Sequence, residues 1–159
     1  MSRALDLGSI STRLRRGGRA PREGREEPAA DLAVIVVDSD VLIDALRGRD
    51  LSASRMLAGL AEGSLATTSV SAFELLSGAR APEQAQAVTD LLAGLAILPF
   101  DERAGRAAAA CRRDLEARGQ TIGMADYLIA GICLSRSAAL LTRNRKHFAR
   151  VPELLLAEL

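Results

Sequence analysis

Several residue types on which common functions depend are scarce in this sequence. Aromatic side chains make up only 3% of the 159 residues, with no tryptophan, one tyrosine and three phenylalanines. Tyr127 and the phenylalanines are too few to build a platform on which nucleobases stack. The two cysteines, Cys111 and Cys133, lie in alanine-rich apolar stretches at a separation that matches no zinc-ligand pair, and are expected to be free buried thiols. Lys146 is the sole lysine among 21 basic residues, so a mechanism that demands a lysine has one candidate. His147 is the sole histidine and reads as a partly packed surface residue. Charge of one sign is also missing: 21 basic against 20 acidic side chains give a net charge of +1. A polycation that coats nucleic acid by bulk charge is excluded, and any such site must be local. No apolar run reaches the ~18 residues needed to cross a bilayer, and the first residues lack the apolar stretch of a signal peptide. A cytoplasmic protein without membrane association is expected.

What is present, 48% apolar and 26% charged residues, is the profile of one soluble globular domain. Residues 1–32 differ from the rest, with seven arginines and five acids and little that could build a core. They are read as a flexible Arg-rich N-terminal arm, which leaves a domain over residues 33–159 at a charge of about −1. That domain opens on the apolar, β-branched run at residues 33–37, as expected of a strand buried on both faces. Ser39 and Asp40 are expected to cap a helix that Gly48 stops. Further helices are expected over 52–61, around 73–76, from Pro82 to about residue 92, over 101–118 and over 122–136. Further strands are expected at 65–68, 95–98 and 139–142, with a short fifth at 151–156. Strands alternating with helices argue for a three-layer α/β domain with a mostly parallel sheet of four to five strands. Such sheets place ligands at the carboxyl ends of their strands.

Four polar residues fall near those ends or early in a following helix. Asp38 follows the first strand, Glu74 lies a turn beyond the second, Asp126 sits in the first turn of the helix over 122–136, and Asn144 follows the fourth strand. Three carboxylates gathered without a cation would repel one another and raise their pKa values, a conflict that a divalent ion removes. An all-oxygen set suits Mg²⁺ or Mn²⁺ better than zinc. Each residue also has a plain reading: Asp38 as a helix cap, Glu74 as a solvated helix residue, Asp126 as a polar residue between apolar neighbours.

The strings around these acids resemble the PIN-domain family, and within it the VapC-type ribonuclease toxins of bacterial toxin-antitoxin pairs. The resemblance runs from about residue 33 to 155. It is carried by Val36-Val37-Asp38-Ser39-Asp40-Val41-Leu42-Ile43-Asp44, by Thr68-Ser69-Val70-Ser71-Ala72-Phe73-Glu74-Leu75-Leu76-Ser77-Gly78-Ala79, by Ile122-Gly123-Met124-Ala125-Asp126-Tyr127-Leu128-Ile129-Ala130, and by Leu141-Thr142-Arg143-Asn144-Arg145-Lys146-His147-Phe148. It implies that Asp38, Glu74 and Asp126 are the acidic metal ligands and that Asn144 is the fourth polar position of the catalytic site. Many family members carry an acid there, so the amide is expected to orient water or a neighbouring carboxylate. Ser39 and Thr142 border the site and are expected to position solvent or phosphate; Arg143, Arg145 and Lys146 are the local candidates for phosphate contact. Asp40, where the family often has a neutral residue, is read as a helix cap.

The implied activity is Mg²⁺- or Mn²⁺-dependent endonucleolytic hydrolysis of RNA, with tRNA or rRNA as target, a 5′-phosphate product, a cognate antitoxin and a homodimer as partners. Two alternatives stand beside it. One is a PIN-like module that binds RNA or protein with weak or no catalysis, for which Asn144 would be the symptom. The other is a haloacid-dehalogenase-type phosphatase using Asp38 and Asp40 as nucleophile and acid/base, which also needs a later lysine and a paired acid.

Overall fold

The computed structural model describes residues 34–48 and 65–158. The arm at 1–32 and the helix expected over 52–61 lie outside the described residues. Within them the chain runs β1 Ile35–Val37, α1 Ser39–Leu46, β2 Leu65–Thr68, α2 Ser69–Gly78, α3 Pro82–Ala93, β3 Ala96–Leu98, α4 Glu102–Ala117, α5 Met124–Ser135, β4 Ala139–Leu141 and α6 Arg145–Phe148.

The four strands form one sheet in the order β3-β2-β1-β4, every neighbouring pair parallel. Because successive strand residues point to opposite faces, each apolar dipeptide feeds two cores. Val37 and Leu141 pack with Val41, Leu42, Leu75 and Leu91 from α1, α2 and α3. Val36 and Leu140 pack on the other face with Leu115, Ile129, Cys133 and Phe148 from α4, α5 and α6. Val36, Val37 and Leu140 are fully buried, which is why these strands read as unbroken apolar runs. The architecture is the three-layer α/β domain with a parallel sheet that the strand-helix alternation implies.

Two local expectations change. Residues 151–156 do not form a fifth strand: only Leu156 bridges to Leu140, and Glu153 at φ 63° turns the chain out of the extended conformation just before it. The sheet therefore has four strands. The N-cap of α1 is Asp38, not Ser39 or Asp40; the helix begins one residue after the strand ends, and the Asp38 side chain accepts the Ser39 N–H at 2.8 Å. At α4 the N-cap is Asp101, whose side chain accepts the Ala104 N–H at 2.9 Å.

The strand order positions the site. From β1 the chain moves outward through β2 to β3, then crosses back to lay β4 on the other side of β1. The loops that leave β1 and β4 therefore diverge to opposite faces and open a crevice between them, the place where open parallel sheets bind ligands.

Candidate active site

Asp38 stands in that crevice. Its backbone N–H donates to the Leu141 carbonyl at 2.9 Å, extending the β1-β4 ladder by one residue and fixing where the side chain leaves the sheet. The residue is 5% exposed, so few water molecules can solvate the carboxylate. Thr142 Oγ1 donates to Oδ2 at 2.8 Å, and Ser71 Oγ donates to Oδ1 at 3.2 Å beside the Ser39 N–H. All of these donors are neutral. Burial, with the charge of Asp40 adding to it, outweighs them and raises the Asp38 pKa from 3.8 to about 6.

The other acids are linked to Asp38 through a chain of hydrogen bonds. Ser39, first residue of α1, donates its Oγ to Glu74 Oε2 at 2.6 Å. On the other side Thr142 lies between Asp38 and Asp40, 2.8 Å and 3.3 Å from their Oδ2 atoms, and its single proton goes to the nearer. Asp40 Oδ2 also accepts the backbone N–H groups of Arg143 at 3.0 Å and Asn144 at 3.2 Å. Asp40 thus holds the loop after β4, a role its reading as a cap does not include; its Oδ1 is buried without a partner. Asn144 Nδ2 reaches Asp126 Oδ2 at 3.4 Å, and His147 Nδ1 lies 2.8 Å from the same oxygen. Asp126, in the first turn of α5, also benefits from the positive end of that helix. One line of contacts therefore joins Glu74, Ser39, Asp38, Thr142, Asp40, Asn144, Asp126 and His147, drawn from four helices and two strand ends.

Two participants escape the sequence reading. Ser71 is fully buried and passes a hydrogen bond from Thr68 Oγ1, at 3.0 Å, to Asp38. The signal for it was two hydroxyl residues three apart at the start of an apolar helix, the spacing of a cap that Thr68 indeed makes to the Ser71 N–H. His147, read as a surface residue, meets Asp126; its side chain is 43% exposed.

The basic residues near the site are mostly engaged. Arg143 pairs with Asp44 of α1 at 2.8 Å, and Arg145 donates to the Ala157 carbonyl at 2.8 Å. Lys146 is exposed. Beside Glu74 a groove of about 350 Å³ runs between α2 and α5, lined by Ser69, Val70, Phe73, Met124, Ala125 and Leu128. Both cysteines are buried and free, and burial pushes the Cys133 thiol up to about 12, so thiolate chemistry and thiolate metal ligation are absent from the site.

Among the described residues no three acidic, imidazole or thiol side chains come together closely enough to hold an ion between them. The donor chemistry nevertheless fits a hard cation. A buried carboxylate without a cationic partner, a second carboxylate held one hydroxyl away and an orphaned Asp40 oxygen are all relieved by positive charge. Mg²⁺ commonly uses one or two carboxylates and keeps water on its other positions, so an open arrangement suits it.

The PIN domain family model matches residues 35–154, which begin at β1 and end just short of the Leu156 bridge. Ribonuclease VapC10 of Mycobacterium tuberculosis is 36% identical over 121 residues, 76% of this chain and 90% of that protein. The tRNA(fMet)-specific endonuclease VapC of Salmonella typhimurium is 33% identical over 89 residues, 54% of this chain and 67% of that one. The crystal structure of VapBC2 from Rickettsia felis, bound to a DNA fragment from its promoter, superposes with a TM-score of 0.68 at 28% identity, covering 77% of this chain and 96% of that one. On the family-model match and the VapC relatives, the chain belongs to the PIN-domain family, in its VapC branch.

Proposed function

We propose that this protein is an endoribonuclease toxin that hydrolyses RNA phosphodiester bonds with Mg²⁺ or Mn²⁺ held by Asp38, Glu74 and Asp126, restrained by a cognate antitoxin and acting in the cytoplasm. The observation that carries the reading is the line of contacts that gathers these acids, from three distant segments, at the topological switch of the sheet. The ribonuclease names of its relatives and the VapBC pairing of its structural neighbour support it.

When bound, the cation supplies Lewis acidity for the phosphoryl oxygens and lowers the pKa of water. The chain supplies the rest. Ser71, Ser39 and Thr142 fix both oxygens of Asp38, so the carboxylate needs no reorganisation when substrate arrives. Ser39 holds Glu74 Oε2, leaving Oε1 as the oxygen available to the cation. Water adds to phosphorus in line and gives up a proton to solvent, the bond to the 3′ oxygen breaks and that oxygen takes up a proton from solvent, so the products are a 3′-hydroxyl and a 5′-phosphate. Lys146 is the exposed contact for backbone phosphate, with Arg143 and Arg145 at its sides. Structured RNA such as tRNA or rRNA is the substrate class, in keeping with the Salmonella relative's name. A homodimer is supported by the exposed Phe73, Leu76 and Met124, 67%, 51% and 57% accessible, on the α2 and α5 faces beside the groove.

A phosphatase would need Asp40 as a proton donor. Its Oδ2 instead accepts two backbone N–H groups of the loop after β4, so that oxygen is occupied in holding the loop. The test is incubation of the purified protein with tRNA and rRNA in Mg²⁺, Mn²⁺ or EDTA. Cleavage is expected only with metal, and Asp38→Ala or Asp126→Ala should each reduce it by about 10²-fold or more. RNA binding without cleavage, unchanged by these substitutions, would sink the nuclease; covalent trapping of Asp38 by a phosphate analogue would point to the phosphatase.

A further inference from the structure

Helix α6 is one turn long, yet it is firmly seated. Phe148 is fully buried in the core beneath α5, and the N–H groups of His147 and Phe148 donate to the Asn144 carbonyl at 3.1 Å and 3.3 Å. With Phe148 anchored, Asn144 and His147 both meet the first turn of α5. His147 Nδ1 is 2.8 Å from Asp126 Oδ2, Asn144 Nδ2 is 3.4 Å from that same oxygen, and the two nitrogens are 3.0 Å apart. An ionised carboxylate oxygen only accepts, so the proton in the 2.8 Å contact belongs to Nδ1. The Asn144 amide then cannot donate to Nδ1, and the two nitrogens are donors converging on one oxygen. Neither engages Oδ1.

We propose that His147 is a positioning residue for Asp126: its Nδ1–H, with the Asn144 amide beside it, holds Oδ2 and directs Oδ1 to the divalent cation. The assignment rests on the reading of Asp126 as a ligand of that cation. An acid at position 144 would repel Asp126, whereas the amide here donates to it, and the imidazole completes the pair of donors. Hydrogen-bonded partners of metal ligands typically govern affinity by 10- to 100-fold.

The first measurement uses the metal-free full chain. Because His147 is the only histidine, nitrogen NMR of the neutral imidazole reports one side chain. The Nδ1–H tautomer is expected, changing to Nε2–H in Asp126→Ala. The second is Mn²⁺ affinity by electron paramagnetic resonance. His147→Ala and His147→Gln should each weaken Mn²⁺ binding about 10-fold or more, while His147→Asn, whose amide nitrogen falls near the Nδ1 position, should restore most of it. Circular dichroism checks that each variant is folded. An Nε2–H tautomer in the wild type, unchanged affinity in His147→Ala, or His147→Asn binding as weakly as His147→Ala would each overturn the assignment. If Asp126→Ala abolishes Mn²⁺ binding and His147→Ala does not, only the positioning role falls. If Asp126→Ala leaves binding intact, the metal reading itself fails and the assignment goes with it.

Discussion

Asp38 shows how a single side chain can be stabilising in one state and costly in another. With neutral donors only and 5% exposure, its charge is disfavoured in the fold, and its pKa stands at about 6 against 3.8 for a free carboxyl. A folded pKa above the unfolded one means that the folded chain holds the proton more tightly. The stability this provides is full below pH 4 and is lost as pH rises through 6, at a cost on the order of 3 kcal/mol for the metal-free protein. Melting in EDTA should therefore show wild type gaining stability relative to Asp38→Asn between pH 7 and pH 4, with Asp38→Asn the more stable at pH 7. A difference that stays flat across this range would show that the buried charge is not what Asp38 contributes. Excess Mn²⁺ should raise the wild-type melting temperature at pH 7 and leave Asp38→Asn nearly unmoved. The acids themselves are legible in the sequence because each sits at a fixed offset from a strand end or helix start. Ser71, His147 and the clamp made by Asp40 are not, because their partners lie 33, 21 and more than 100 residues away.

At the scale of elements, the packing of α4 on α5 fixes where Asp126 stands. The alanine-rich α4 buries Ala104, Ala108, Cys111 and Leu115, a stripe at helical spacing. Opposite it is Gly131 of α5, where an added Cβ would lie 2.5 Å from the Ala104 carbonyl and 2.6 Å from the Ala108 Cβ. The helices are as close as their backbones allow. Gly131→Ala must push them apart and should cost about 1–3 kcal/mol, read as a lower denaturant midpoint with an unchanged slope. Gly78→Ala, at the end of α2 with nothing within 4 Å of the new methyl, should be neutral or slightly stabilising. Equal losses at the two positions would argue against close approach as the cause. Among the described residues periodicity placed most helices and strands to within a residue or two of their observed ends, but α2 begins at Ser69, four residues before the expected stretch, and the one-turn α6 was not expected. Periodicity overstated the C-terminal segment, whose apolar residues reach the sheet edge at one bridge after a turn at Glu153 rather than as a strand.

For the whole molecule, the sheet order decides everything about the site. Among the described residues two cores pack on the faces of the sheet, and the family match begins at Ile35. Deleting residues 2–32 should accordingly leave the melting temperature within about 2 °C, a change well under 1 kcal/mol for a domain of this size, and should leave metal-dependent cleavage intact. If the proposed homodimer forms through α2 and α5, sedimentation of the truncated protein should give the mass of two chains. Aggregation or unfolding of that truncation would move the domain boundary upstream. Among the described residues no helix is long and apolar enough to cross a membrane.

The sequence by itself determined the alternation of strands and helices, the burial of β1 on both faces, and the acids and amide near strand ends or helix starts, because these follow from local periodicity and spacing. Only the tertiary structure decided that β4 lies beside β1 and that Thr142 stands between Asp38 and Asp40. It alone placed His147 and Asn144 on the same oxygen of Asp126. Those are contacts between residues far apart in the chain, set by which strands pair and how closely helices pack, and no local pattern encodes them.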